Sequence, residues 1–352
     1  MELELEVVEA HTLALTPKGP AFLASLPPRL KCWVKPEAYQ SMLELVTPVC
    51  RNLDEVASFI ENALKELAAL ARPKGLCLLP LSLHPFSLAK EQPVWRKKRY
   101  LKIFEELQLV GRRFIAQGLH VHVGMPDQET ALKVYNLLRP YLPLLLALST
   151  SSPFYEGERT GFHSYRTKLF EALPLAGLPR SFASWEEYET LLNFLKSRGI
   201  ISSFRDLWWD IRLKPEFGTV EVRICDVPGR FEDLLVIVAL IQTLAFWLSE
   251  SKPPPGIPYE AIAYGKWQAA RHGLEGSLID PKTLRKLDFV SLAHEFWQIL
   301  AAPAQKLGTW PYLKRLVVLA ERRPVSFLML AHFQKGATFP AIIKEVLEGF
   351  WR

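Results

Sequence analysis

The clearest structural signal in the chain lies at residues 219–225, which read Thr-Val-Glu-Val-Arg-Ile-Cys. Apolar and charged side chains alternate there, and successive side chains of a β-strand point to opposite faces of the sheet. We therefore predict a strand that buries Val220 and Val222 on one face and presents Glu221 and Arg223 on the other.

Three further stretches show the same alternation and carry ionisable groups on the polar face. The groups are Glu2, Glu4 and Glu6 in residues 2–8, His120 and His122 in residues 118–124, and Asp210 and Arg212 in residues 209–213. Solvent-facing strands usually mix Lys, Thr, Ser and Gln, whereas carboxylates, imidazoles and guanidinium groups bind metal ions and phosphates. If the four strands share one sheet, their polar faces form a concave surface suited to metal ions and polyphosphate.

Each strand also has a simpler interpretation when it is considered alone. The glutamates of the first strand could face solvent at a chain terminus, and single histidines are more often structural than metal ligands. Glu221 and Arg223 could form an ordinary ion pair between strands. The occurrence of the pattern on four strands favours a site over four coincidences.

Helical periodicity is interspersed with these strands. It covers residues 53–71, 99–117, 129–138, 185–197 and 233–249. Because helices do not follow every strand, the sequence indicates an α+β fold rather than alternating β-α-β units. A proline-rich stretch at 251–258 precedes an all-helical region, about 257–352, which we expect to pack on the first part as one domain, 1–352.

Composition narrows the functional classes. The chain has 352 residues, with 43 Lys and Arg against 37 Asp and Glu. This mild excess suits an anionic small substrate, while scattered basic residues and acidic strand faces argue against a nucleic-acid partner. The four cysteines form no Cys-x-x-Cys pair, the acidic start is unlike a signal peptide, and the apolar run 234–248 is too short for a membrane span. We expect a buried helix there and a cytoplasmic protein without a membrane partner.

Two other segments carry candidate ligand-binding residues. The irregular stretch 151–166 ends in Arg166, which could hold phosphate or carboxylate oxygens unless the stretch is a solvated turn. Residues 265–273 are typical of a helix that ends at a glycine, where Lys266 and Arg271 either reach a ligand or complement the helix C-terminus. The chain has no P-loop and no Gly-x-Gly-x-x-Gly motif, so a nucleotide would be held through metal ions and arginines.

Seven stretches occur in the same order as in one known family. They are residues 2–4, 41–47, 118–124, 152–166, 209–212, 218–223 and 266–274. Together they resemble the carboxylate–amine ligase family, also described as glutamate–cysteine ligase type 2. The helical region after about residue 280 resembles the family only loosely.

The resemblance implies a glutamine-synthetase-like fold, in which an antiparallel sheet forms a funnel and helices cover its outer face. It also implies ATP as a substrate and Mg²⁺ or Mn²⁺ as a cofactor. The implied metal ligands are Glu2, Glu4, Glu37, Glu44, His120 and Glu221. The candidate catalytic residues are Arg223, Arg166 and Glu221, and the candidate nucleotide-binding residues are Arg212, Arg223, Lys266 and Arg271.

The reaction implied by the resemblance joins a carboxylate to an amine. The carboxylate attacks the γ-phosphate of ATP to form an acyl phosphate, and an amine then attacks this mixed anhydride. Glutamate and cysteine are the first substrates to consider, and a homodimer would be unremarkable. Two positions depart from the family pattern, because Gln40 stands where relatives often have glutamate and Gly265 where they usually have asparagine.

The sequence is also compatible with two other functions. A metal-dependent hydrolase could use the His-x-His pair at 120–122, but it would need further ligands, and His163, His272 and His294 fall in loop or helix contexts. Because Gln40 removes one negative charge, a family member that binds nucleotide without ligase activity is the second alternative.

Overall fold

A computed structural model describes residues 1–253 and 256–351. Residues 254–255, within the predicted linker 251–258, and residue 352 lie outside the described residues. The strands are β1 (Glu2–Glu9), β2 (Val34–Pro36), β3 (Met42–Val46), β4 (Leu76–Leu79), β5 (Leu119–Gly124), β6 (Phe154–Tyr155), β7 (Glu158–Arg159), β8 (Ala176–Gly177), β9 (Trp208–Trp209), β10 (Ile211–Lys214), β11 (Thr219–Val222), β12 (Ser277–Ile279) and β13 (Lys286–Asp288).

The α-helices lie before, between and after these strands. They are α1 (Gly19–Ser25), α2 (Pro28–Lys31), α3 (Leu53–Ala71), α4 (Lys98–Arg113), α5 (Gln128–Leu138), α6 (Leu142–Ser149), α7 (Arg166–Glu171), α8 (Trp185–Ser197), α9 (Phe231–Glu250), α10 (Tyr259–His272), α11 (Phe289–Ile299), α12 (Ala301–Leu307), α13 (Trp310–Leu313), α14 (Leu316–Arg322), α15 (Val325–Gln334) and α16 (Phe339–Gly349). The predicted α+β fold is confirmed.

Seven strands form one antiparallel sheet in the order β10-β11-β5-β1-β3-β2, with β4 paired to the second half of β1. The register places Glu2 opposite His120, Glu4 opposite Glu44, and Glu221 opposite His122 and Arg212. Directly opposed residues share a face of the sheet. The polar side chains of the predicted strands therefore meet on one surface, with two exceptions. Glu6 is fully buried opposite Met42 and Leu79, and Asp210 lies between β9 and β10.

Helices cover the other face of the sheet. Leu3, Leu5 and Val7 of β1 are buried there, and α5 and α9 pack against β5, β10 and β11. Within the described residues, α9 is the one helix long and apolar enough to cross a membrane by length and composition. Most of its side chains are buried inside the fold, which confirms the prediction of a core helix.

Three predicted elements differ from the structure. The helix predicted at 99–117 ends at Arg113, and Gln108 interrupts it with a φ of 47°. The region 257–352 is not all helical, because β12 and β13 form a hairpin between α10 and α11. The strand predicted at 209–213 is divided at Asp210, which lies between β9 and β10.

Candidate active site

A cavity of about 470 Å³ opens on the polar face of the sheet. All six predicted metal ligands line it, together with three of the predicted arginines. These residues are Glu2, Glu4, Glu37, Glu44, His120, Glu221, Arg166, Arg212 and Arg223. The sheet brings most of them together, while Glu37 follows the short strand β2 and Arg166 begins α7.

Carboxylates and imidazoles form a compact cluster at the bottom of this cavity. The Glu2 carboxylate lies 2.9 Å from Nδ1 of His120 and 3.6 Å from Nε2 of His122. Three sets of side chains place their ligand atoms within 4.8 Å of one another. The sets are Glu2, His122 and Glu221; Glu2, Glu44 and His120; and Glu4, Glu37 and Glu44.

The electrostatics of this cluster fit a divalent cation. Burial, and then repulsion by Glu37, raise the pKa of Glu4 to about 8, and burial with three neighbouring carboxylates raises the pKa of Glu44 well above its usual range. Nε2 of His120 is buried and has no hydrogen-bond partner among the described residues. A cation held by these oxygens would relieve the repulsion, and oxygen-rich sets with at most one imidazole each suit Mg²⁺ or Mn²⁺.

Glu221 is surrounded by two arginines. Arg212 donates two hydrogen bonds to its carboxylate, at 2.8 and 2.7 Å, and Nη1 of Arg223 donates a third at 2.5 Å. Burial opposes ionisation of Glu221, but the charges of Arg223 and Arg212 outweigh it and lower the pKa of the carboxyl. Glu221 is therefore held as a carboxylate between the arginines and His122.

Arg166 connects the stretch 151–166 to this site. Its guanidinium donates to the carbonyls of Arg223 and Ile224, each at 3.3 Å, and lies 3.9 Å from the Asp226 carboxylate. Asp226 is fully buried and also accepts hydrogen bonds from Ser151, Ser152 and Ser164. Asp226 thus holds both ends of the stretch. It could not be predicted from strand alternation, because it lies after the end of β11.

Two predicted nucleotide-binding residues do not line the cavity. Nζ of Lys266 is buried, 2.6 Å from Asp210 and 3.1 Å from Glu171, and Arg271 donates to the carbonyl of Gly161. Both cations lie on α10 and are engaged by other protein groups, so their role in nucleotide binding stays a prediction. Asp210, predicted on the polar face, lies with Lys266 instead.

The two departures from the family pattern also lie away from the cavity. The Gln40 side chain donates to the carbonyl of Val94 at 3.2 Å, so the carboxylate cluster does not include this position. Gly265 lies where α10 meets α6, and a Cβ there would be 3.3 Å from Pro143. Neither residue changes the charges that face the cavity.

Sequence analysis missed a rim of basic and aromatic residues around the cavity mouth. The rim consists of Lys35, Lys97, Arg99, Tyr100, Arg205, Trp208, Lys214 and Phe217. Most of these residues lie in turns or on a helix, where a period of two does not apply. The three other histidines considered for a hydrolase, His163, His272 and His294, do not line the cavity.

Comparisons with known proteins identify the family of the chain. Residues 1–324 match glutamate–cysteine ligase family 2. A protein of Gloeobacter violaceus named "Putative glutamate--cysteine ligase 2" is 40% identical over 323 residues, which cover 89% of this chain and 86% of that protein. A protein of Herpetosiphon aurantiacus with the same name is 36% identical over 99% of this chain and 93% of its own length.

Solved structures share the fold at lower sequence identity. The glutamate–cysteine ligase of Francisella tularensis in complex with AMP has a TM-score of 0.71 at 13% identity, covering 99% of this chain and 87% of that one. A bifunctional glutathione synthetase from Pasteurella multocida has a TM-score of 0.69 at 18% identity, and this chain spans about half, 51%, of its length. The fold is that of glutamine-synthetase-like ligases. On the match over residues 1–324 and these relatives, the chain belongs to glutamate–cysteine ligase family 2.

Proposed function

We propose that the protein is an ATP-dependent carboxylate–amine ligase that works through an acyl phosphate. The observation that carries the proposal is the arrangement in one cavity of a carboxylate cluster beside the Arg212–Glu221–Arg223 group. Phosphoryl transfer needs charge stabilisation and precise positioning more than covalent chemistry from the protein. The charged groups of this cavity support the first requirement, and the hydrogen bonds among Arg212, Glu221 and Arg223 support the second.

The carboxylate cluster would hold the divalent cations of the reaction. Glu2, Glu4, Glu37, Glu44, His120 and Glu221 are the residues proposed as ligands. Mg²⁺ or Mn²⁺ bound there would offset negative charge on the phosphate oxygens. Nε2 of His120 has no hydrogen-bond partner among the described residues, and this supports the assignment together with the raised pKa values of Glu4 and Glu44.

The arginines would act on the transferring phosphate. Arg223 lies at the junction of the Glu221 carboxylate and His120, with Nη1 at 3.3 Å from Nδ1 of that imidazole. Glu221 fixes the guanidinium in place, so that its remaining N–H groups can donate to an oxyanion without a cost in reorganisation. Arg166 would support Arg223 by binding its carbonyl oxygen.

The reaction would proceed in two balanced steps. A carboxylate oxygen of the acid forms a bond to the γ-phosphorus, and the bond from that phosphorus to the ADP oxygen breaks. The amine nitrogen then bonds to the acyl carbon, the bond from this carbon to the phosphate oxygen breaks, and phosphate leaves with the proton of the amine. Water must be kept from the anhydride, and the stretch 151–166, anchored at both ends by Asp226, is proposed to close that side of the site.

Glutamate and cysteine are the first acid and amine to test, because the family and the named relatives point to them. We also propose that the protein acts in the cytoplasm, and a homodimer stays a prediction. The test is the release of ADP by the purified protein with ATP and Mg²⁺ or Mn²⁺. The proposal expects ADP release to require both an acid and an amine, with an amide product of matching mass.

Glu44→Gln is the appropriate variant for this assay. Glu44 faces other carboxylates, so removing its charge does not leave an arginine unpaired, as Glu221→Gln would. We expect a loss of turnover of at least a hundredfold with an unchanged unfolding temperature or a higher one. Full activity in a folded Glu44→Gln protein would contradict the proposed metal cluster, and ADP release without any acid or amine would contradict the ligase.

A further inference from the structure

Lys266 lies at the centre of a buried charged group beside the cavity. Its Nζ is 2.6 Å from the Asp210 carboxylate and 3.1 Å from that of Glu171, and the Lys266 and Asp210 side chains are 4% and 5% exposed. Burial opposes the charge of the lysine, but the two carboxylates outweigh it and raise its pKa above the usual range. Lys266 is therefore a cation that joins two separate segments of the chain. We call these three residues the lysine clamp.

The Asp210 side of the clamp leads to Arg223. The regular strand β11 ends at Val222, and the next residue along, Arg223, donates its N–H to the carbonyl of Asp210 at 2.8 Å. The carbonyl of Arg223 accepts from the Arg166 guanidinium at 3.3 Å. The backbone of Arg223 is thus held on its N–H side by the residue whose carboxylate binds Lys266.

The Glu171 side of the clamp leads to Arg166. Helix α7 begins at Arg166 and ends at Glu171. A helix of six residues is too short to be stable alone, so its position depends on the groups that bind it. Lys266 binds the last residue of this helix, and the first residue binds the carbonyl of Arg223. One buried lysine therefore holds the segments that position both arginines.

The clamp is better explained by position than by stability. A buried ion pair contributes little net stability, because the cost of removing the charges from water offsets their attraction. An arginine that stabilises a transferring phosphate must instead be fixed in place before the reaction. A displacement of about 1 Å, caused by a change far from the reacting atoms, can cost about a hundredfold in rate.

We propose that Lys266 is a positioning residue for phosphoryl transfer, which acts on Arg223 and Arg166 through the protein rather than by contact with a ligand. The inference rests on the proposed ligase function, in which Arg223 acts on the transferring phosphate. Loss of the clamp lowers kcat, because the transition state depends on the positions of the arginines. It leaves the KM for ATP nearly unchanged, because none of the three clamp residues lines the cavity.

Two substitutions release the clamp, and a third is their control. Lys266→Met removes the cation. Asp210→Ala removes one anchor while Lys266 keeps Glu171, and it serves if the first variant does not fold. The control is Asp233→Ala, because Asp233 is a buried carboxylate that pairs with Arg230 at 3.2 Å and does not line the cavity. All three substitutions break a buried ion pair, but only the first two release the clamp.

Turnover is measured as ADP release with ATP, Mg²⁺, glutamate and cysteine, at a temperature at which the variants are folded. We expect the clamp variants to lose about tenfold or more in kcat, with the KM for ATP within about threefold. Asp233→Ala should change neither value more than about twofold. An unchanged kcat in a folded clamp variant would overturn the inference. A rise of about tenfold in the KM for ATP would also overturn it, because Lys266 would then act on the nucleotide.

A binding measurement separates this inference from the ligase proposal. Calorimetry with Mg²⁺ compares the affinity for ADP alone with that for ADP and aluminium fluoride, which imitates the transferring phosphoryl group. Aluminium fluoride should increase the affinity in the unmodified protein and in Asp233→Ala, and this gain should fall about fivefold or more in Lys266→Met and in Arg223→Gln. A gain that falls only in Arg223→Gln would overturn the inference and retain the ligase. No gain in the unmodified protein, or a full gain in Arg223→Gln, would refute the proposed phosphoryl transfer and this inference with it.

Discussion

Replacing Glu4 by glutamine should make the metal-free protein more stable. Glu4 is nearly buried, it faces Glu37 and Glu44 in the carboxylate cluster, and burial followed by repulsion from Glu37 raises its pKa to about 8. The Gly118 N–H donates to Oε2 of Glu4 at 2.6 Å, and a glutamine oxygen can accept the same hydrogen bond. The substitution therefore removes a charge, and the Gly118 N–H keeps a hydrogen-bond acceptor.

The sign and size of the effect follow from this pKa. The pKa of Glu4 is about 8 in the folded state and 4.5 in the unfolded state, so the folded state binds the proton more tightly. The folded protein therefore loses stability as the pH rises from 4.5 to about 8. At pH 7 the free energy of unfolding is lower by up to about 3 kcal/mol, since each pH unit above 4.5 contributes about 1.36 kcal/mol. With an unfolding entropy of about 2.1 cal/mol/K per residue, the Glu4→Gln protein should melt about 4 °C higher.

The assay is thermal unfolding in EDTA at several pH values, with Glu9→Gln as a control on the same strand. Glu9 lies 2.7 Å from Lys18 and its pKa is lowered, so its replacement should cost no more than about 1 kcal/mol. The difference in unfolding temperature between the Glu4→Gln protein and the unmodified protein should grow from pH 5 to pH 8. Mn²⁺ should raise the unfolding temperature of the unmodified protein more than that of the Glu4→Gln protein. A Glu4→Gln protein that is less stable in EDTA at pH 8 would refute this reasoning.

Further predictions concern residues around the site. Gly118→Ala would place a Cβ 2.3 Å from Nη2 of Arg166, so turnover should fall at least tenfold, whereas Gly124→Ala meets no atom within 4 Å and should keep its activity. Equal kcat in the two variants would show that the position of Arg166 does not matter. Lys266→Met leaves Asp210 unpaired and should cost about 3–5 kcal/mol in denaturant unfolding while the KM for ATP changes less than threefold. A large rise in that KM would place Lys266 on the nucleotide.

The sheet and its charged face could be predicted because both depend on local alternation. In residues 2–8 and 219–225, apolar and charged side chains alternate with a period of two. This alternation identifies a strand with one buried face and shows which side chains lie on the other face. The strands β2, β3 and β4 were missed because they are three to five residues long, too short for the pattern to stand out. Glu37 and Glu44 could be proposed only through the family resemblance.

The parts of the site that escaped prediction depend on tertiary contacts. Lys266 and Arg271 have the charge of phosphate-binding residues, but the packing of α10 directs them to Asp210 and to a backbone carbonyl. Asp226 has no periodic signal, since it follows the end of β11 and its partners Ser151, Ser152 and Ser164 come from a separate stretch. Gln40 seemed to reduce the charge of the metal cluster, and the structure shows that its amide binds the carbonyl of Val94 instead.

The most direct test of the central claim follows the oxygen atoms of the acid. The acid that supports ADP release is labelled with ¹⁸O in its carboxylate and incubated with the protein, ATP, Mg²⁺ and the amine, and the phosphate is examined by mass spectrometry. Transfer through an acyl phosphate predicts one ¹⁸O atom in each phosphate released with the amide. Unlabelled phosphate would contradict the account, because it would mean that the carboxylate never attacked the γ-phosphate of ATP.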